Sequence, residues 1–128
     1  MREFKFRAWD KGKKQMFIPI ALRLDEGGRV IKIFSEDREK DTMTEYPFCN
    51  FVFMQWAGLK DKTGKDIYEG DIVNDGECNF EVVFEYGSFD FVQVNSGAKV
   101  VGMQQYIYAT ERIEIIGNIF ENEDLLDE

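Results

Sequence analysis

Apolar residues recur along this chain at alternate positions in short runs, and helical spacing is absent from most of it. Phe4, Phe6 and Ala8 alternate with Lys5, Arg7 and Trp9, the period-two pattern of a strand with one wet face. A turn over Asp10 to Lys14, centred on Gly12, leads to a second strand over Gln15 to Ile20, and Pro19 places its end at a sheet edge or bulge. Leu22 and Leu24, then Val30, Ile31 and Ile33, flank Asp25-Glu26-Gly27-Gly28. Paired glycines tolerate mirror-image turn geometry, so a third and fourth strand form a hairpin there. From Ser35 to Glu45 Met43 is the lone apolar residue. This stretch predicts a surface loop ending before Pro47, serving as a flexible linker between a hairpin layer (1–47) and a β-barrel-like part (48–128) of one domain.

Phe51, Phe53 and Gln55 alternate with Val52, Met54 and Trp56. A run bulky on both faces predicts a strand buried on both sides, which Gly58 breaks. Lys60 to Lys65 contains no apolar residue, and Gly64 supplies the positive φ of a tight turn. Apolar character resumes at Ile67 and Tyr68 and again at Ile72 and Val73, with Gly70 marking a bulge or bend. Glycine-led strands of this kind also open many small SH3-like barrels. Phe80 to Glu85 and Phe89 to Val94 alternate around Tyr86-Gly87-Ser88, a further hairpin. Val100, Val101 and the Gln104 to Tyr108 run add at least one strand, and Glu111 to Phe120 another. The tail predicts one helical turn capped by Asn122, its carboxylates at the positive end of the helix dipole and Leu125 and Leu126 folded back. The expected class is all-β: several coiled antiparallel sheets and hairpins, an SH3-like barrel portion and a short C-terminal helical turn.

Composition narrows this picture. With 128 residues, 44% of them hydrophobic, the chain can bury one domain core. Twelve Phe, five Tyr and two Trp favour sheet over helix. No run approaches the roughly 18 apolar residues of a membrane span, and the opening lacks the apolar core of a signal peptide. The expected location is cytoplasmic. Cys49 and Cys78 are far apart and there is no histidine, so zinc sites and histidine-based triads lack their usual parts. Both thiols are expected in the core or near the surface, without a chemical role. No cofactor is implied.

Charge divides unevenly. Through Lys65, fourteen Lys and Arg oppose ten Asp and Glu, a net of +4; from Asp66 onward two oppose fifteen, a net of −13. Nucleic-acid binders usually carry a basic excess, so direct binding is disfavoured. The opening nevertheless clusters Arg2, Lys5, Arg7, Lys11, Lys13 and Lys14, which most simply form a solvated strand face and hairpin tip.

Three stretches carry a family resemblance: MREFKFRAWDKGKKQMF at the start, MQWAGLKDKTGKDIYEGDIVN from Met54 to Asn74, and IIGNIFENEDLL from Ile115. They resemble the YopX family, small phage and prophage proteins without an established activity. The resemblance covers nearly the whole chain. It implies a mainly β fold of strongly coiled sheets, a phage or prophage origin and self-association. The chain departs from the family pattern at Ala57, where Thr is common, and at Glu123, where Pro often follows the Asn.

The central stretch is the candidate interaction site, with Trp56, Lys60, Asp61, Lys65, Tyr68, Glu69 and Asp71 as its residues. Asp61, Asp66, Glu69 and Asp71 also form a carboxylate cluster that a hard cation could use. Their spacing does not match a calcium loop, and Lys60, Lys62 and Lys65 supply countercharge. Neither a metal nor a catalytic site is therefore expected, Glu69 with Asp71 as a hydrolytic pair included. Phe4, Phe6 and Trp9 beside Lys5, Arg7 and Lys11 could stack single-stranded bases, although core packing accounts for most such rings. The expected function is a non-enzymatic, self-associating module that binds a phage or host protein. The alternative is a nucleic-acid accessory protein working through Lys5, Arg7 and Lys11. A third reading is a metal-dependent hydrolase built on Asp61 to Asp71.

Overall fold

The computed structural model describes residues 3–37, 42–47, 50–100 and 111–127. The chain is mainly β, with a sheet curled into a half-barrel. It divides into two compact units: Phe6–Met54, and Met1–Lys5 together with Gln55–Glu128. The division falls inside a strand, not in the charged segment expected as a linker.

In the first unit, β1 (Phe6–Asp10) pairs antiparallel with β2 (Gln15–Phe17), Ala8 facing Phe17 and Asp10 facing Gln15. Asp10 organises the turn: its Oδ1 accepts from the Gly12 and Lys13 N–H groups at 2.9 Å, and its carbonyl accepts from Lys14 at 2.8 Å. Lys14, at φ 54°, makes the left-handed step. The expected wet face of β1 is not there, because Arg7 and Trp9 are buried as Ala8 is, and the turn residue Asp10 is buried too. Burial tends to raise the Asp10 carboxyl, but hydrogen bonds from Lys13, the Tyr46 hydroxyl and Gly12 outweigh it and hold the group below its usual range.

β3 (Ala21–Leu24), β4 (Val30–Asp37) and β5 (Thr42–Pro47) form a three-stranded antiparallel sheet in that order. Only Gly28 of the expected glycine pair has positive φ (85°). The Asp25 carboxylate accepts from Gly27 and Arg29, and a bulge between Arg23 and Leu24 absorbs the extra residue. The predicted polar loop is mostly strand: Ser35 faces Thr44, Glu36 faces Met43 and Asp37 faces Thr42. Ladder hydrogen bonds support a polar hairpin arm where side-chain patterning gives no strand signal. Ala8, Ile33 and Phe51 form the core, with Phe17 stacked on Tyr46 at 5.0 Å and Phe6 on Phe53 at 4.9 Å.

β6 (Phe51–Lys60) crosses from the first unit into the second. Gly58 does not end it. At φ 84° it sits in a bulge, where the register to β7 (Asp66–Tyr68) shifts between Trp56 and Lys60. The second unit also holds β8 (Asp71–Asn74), β9 (Asn79–Glu85), β10 (Ser88–Gln93), β11 (Lys99–Val100) and β12 (Glu114–Asn118). Their sheet runs β11-β10-β9-β8-β12. The strand expected over Gln104 to Tyr108 lies outside the described residues. Ile67, Val73, Phe80, Val82, Phe91 and Ile113 form the core, with Ala57, Leu59, Cys78 and Ile115 packed on it. Among the described residues no helix is long and apolar enough to cross a membrane.

A 3-10 turn, Glu123–Asp127, stands where a helical turn was expected, with Glu123 and Asp124 in its first turn. Asn122 caps it differently from the expectation. Its carbonyl accepts from the Leu125 N–H, while its side-chain oxygen reaches back to the Asn118 N–H at 3.2 Å. That side chain lies across Gly117: a β-carbon there would stand 2.5 Å from Asn122 Oδ1 and 3.0 Å from its Cβ. Gly117→Ala should therefore displace Asn122 and lower unfolding free energy by about 1–2 kcal/mol, measured by urea titration. An unchanged midpoint would mean that the turn shifts freely.

Candidate functional site

The seven candidate residues all lie in the second unit, but they separate into two roles. Asp61, Glu69 and Asp71 serve the backbone. Asp61 is 3% exposed. Its Oδ1 accepts from the Thr63 N–H, the Thr63 hydroxyl and the Lys65 N–H at 2.7–2.9 Å, and its Oδ2 accepts from the Ile115 N–H at 3.0 Å. Gly64, at φ 90°, completes the turn as its sequence position suggested. Glu69 Oε1 accepts from the Gln55 N–H at 2.9 Å, and Asp71 Oδ2 from the Tyr68 N–H at 2.8 Å. These carboxylates do not converge on one point. Each neutralises orphan donors where a turn or bulge interrupts a ladder.

Trp56, Lys60 and Tyr68 belong to a different arrangement on β6 and β7, where Trp56 faces Tyr68 and Lys60 faces Asp66. Asp66 is clasped by two ammonium groups, Lys60 at 2.9 Å on Oδ1 and Lys5 at 3.0 Å on Oδ2. Lys5 Nζ also lies 4.5 Å from the centroid of the Trp56 ring, within cation–π range. The Trp56 indole N–H donates to the Leu59 carbonyl at 2.9 Å, fixing the ring across the bulge. Burial works to raise Asp66, yet Lys60 and Lys5 prevail and hold it below the usual carboxylate range. Lys5 is raised by its hydrogen bond to Asp66. Lys65 is exposed, and its backbone N–H and carbonyl both bind Asp61. The result is a half-exposed aromatic and ionic face.

Of the three rings proposed for base stacking, Phe4 is 59% exposed. Trp9 is buried, and Phe6 stacks on Phe53. Of the three cationic residues proposed beside them, Arg7 is buried and Lys5 is paired with Asp66, which leaves Lys11 exposed.

Two features lie outside the sequence-based candidates. A cleft of about 310 Å³ is lined by Asn74, Glu77, Cys78, Asn79, Gln93 and Asn95. Within it, Asn74 donates to Asn79 at 2.8 Å and Gln93 to the half-buried Cys78 sulfur at 3.1 Å. Cys49 is outside the described residues. The second feature is the β9–β10 tip, where Tyr86 is 99% and Phe84 50% exposed. Its sequence signal is a bulky residue before Gly87 in a two-residue turn that ordinarily takes Asn.

Residues 5–127 match the model of the YopX protein family. The chain belongs to the YopX family. It is also similar to a solved structure, protein EF1440 from Enterococcus faecalis, at 28% identity and a TM-score of 0.71, over 98% of this chain and 99% of that one. None of the curated proteins matches it. In this YopX chain the central signature is largely architectural. Gly58, Gly64 and Gly70 all take positive φ, and Ala57, where Thr is common, packs against the core.

Proposed function

We propose that this YopX protein is a phage- or prophage-borne, non-enzymatic interaction module of the host cytoplasm that associates with itself and engages a protein partner. The uneven charge of its two units carries this reading. Seven Lys and Arg oppose seventeen Asp and Glu in Met1–Lys5 with Gln55–Glu128, a net of −10, whereas nine oppose eight in Phe6–Met54, a net of +1. An acidic unit attached to a near-neutral one with exposed lysines favours association with basic surfaces and steers it at long range. The signature carboxylates support the reading too, being committed to backbone donors and lysines, and the chain has no histidine for acid–base work.

Light scattering on the whole protein at low and high salt, combined with affinity capture from lysogenic cells, tests the proposal. The expected result is an oligomer and a captured basic protein, both weakened by salt. A single-copy mass at every concentration together with no captured protein would refute it.

A second reading, a nucleic-acid accessory protein, draws on the exposed Lys11, Lys13 and Lys14 of the β1–β2 turn. It requires DNA or RNA retention that falls steeply with salt and is lost when these lysines are neutralised. Retention that ignores both changes excludes it.

A further inference from the structure

Among the described residues two without glycine's freedom have positive φ: Lys14 at 54° and Tyr86 at 51°. A β-carbon makes this conformation unfavourable, and a bulky side chain in it is an outlier that asks for a reason. Each sits at a hairpin tip. Tyr86 and Gly87, the latter at φ 82°, are the two loop residues between Glu85 and Ser88, which face each other across the β9–β10 ladder. Type I′ turns favour Asn-Gly at these positions, so Tyr86 gives up backbone ease in a turn where its side chain is 99% exposed. Beside it, Phe84 is 50% exposed and contacts Phe89, ring centroids 4.8 Å apart.

The two tips are complementary. Lys11, Lys13 and Lys14 are exposed, and among the described residues none of them is in a salt bridge. The aromatic hairpin carries Glu81 and Glu85, and burial, then the charge of Glu85, push the Glu81 carboxyl above its ordinary range. A cation arriving at the Glu85 side of the tip relieves that repulsion and meets the Tyr86 ring beside it, while Phe84 lies on the other face of β9.

Building on the self-association reading, we propose that the aromatic β9–β10 tip of one copy receives the β1–β2 lysine turn of a second copy, with ammonium groups over Tyr86 and beside Glu85 on one face and over Phe84 on the other. The surfaces differ, so the contact either repeats head to tail or occurs twice across a two-fold. In both arrangements each copy offers one tip of each kind.

Sedimentation of the whole protein and of two variants tests this. Tyr86→Asn removes the ring and suits the turn; Lys11→Glu with Lys14→Asn reverses and trims the lysine turn. Each variant should associate at least about tenfold more weakly than the parent. An equimolar mixture should recover a two-copy species, because each variant keeps the tip that the other lacks. Tyr86→Asn should also melt at a higher temperature than the parent, an outcome that a purely structural role for the ring does not produce. Phe84→Ser, which leaves the turn backbone alone, is read beside it and should weaken association as well. Parent-like assembly by both variants, or a mixture that stays single-copy, overturns this contact alone. A parent that never associates overturns the self-association reading and this contact with it.

Discussion

Asp61→Ala should destabilise the protein by about 2–4 kcal/mol, read from denaturant unfolding. The carboxylate is buried and accepts four hydrogen bonds, and one of them comes from Ile115, 54 residues away. Thr63 and Lys65 lie in a surface turn and can rehydrate, but the partly buried Ile115 N–H has less recourse to water. Asp61→Asn should fall between, since an amide offers one acceptor and turns a donor toward the remaining N–H. The parent should show a matching acid limb. Burial acts to raise the Asp61 carboxyl, but the bonds from Ile115, Thr63 and Lys65 outweigh it and place the folded value below the usual one. The stability it contributes is therefore complete above the unfolded carboxyl value of about 3.9 and is lost as pH falls through the lower folded value. Asp66 and Asp10 act with the same sign. Glu81, whose value is raised, acts with the opposite sign and gains stability on protonation. A parent and an Asp61→Asn variant with identical pH profiles would show that this carboxylate is not coupled to folding.

Phe91→Ala should cost about 3–5 kcal/mol, again from unfolding midpoints at constant slope. Phe91 is 2% exposed in the core of the second unit, on β10 opposite Val82 of β9 and Val100 of β11. Removing the ring opens a cavity that paired strands on either side cannot close. Phe84 on the neighbouring strand is the control: half exposed, it should cost well under that amount when truncated. Equal losses at the two positions would mean that exposure does not rank these aromatics and that the core is placed elsewhere.

Side-chain alternation made the strands legible where one face is apolar. Phe80 to Glu85 and Phe89 to Val94 were readable as the arms of a hairpin, Gly64 as a turn and Gly70 as a bend. Legibility failed where local chemistry overrode the pattern. Thr42 to Pro47 joins a sheet through ladder bonds that a polar sequence does not advertise. Gly58 looks like a stop and is a bulge within a longer strand. Arg7 reads as a solvated strand residue and Asp10 as a turn residue, yet both are buried, and Asp10 is held by the Tyr46 hydroxyl. The candidate site was half legible. The signature was visible as a unit, but the bond of Lys5 to Asp66 spans 61 residues, and no local spacing encodes it. Tyr86 was recognised as a turn residue, while its exposure and backbone strain became apparent only in three dimensions.

The hydrogen bond from Ile115 to Asp61, together with the Lys62 N–H donated to the Ile113 carbonyl at 2.8 Å and the seat of β12 beside β8, bears on how the polypeptide matures on the ribosome. The Asp61 turn is synthesised long before the strand that completes it leaves the exit tunnel. Until then its second carboxylate oxygen and one edge of β8 face water, so a polypeptide truncated upstream of β12 should keep an open sheet edge and fold less stably than the whole chain.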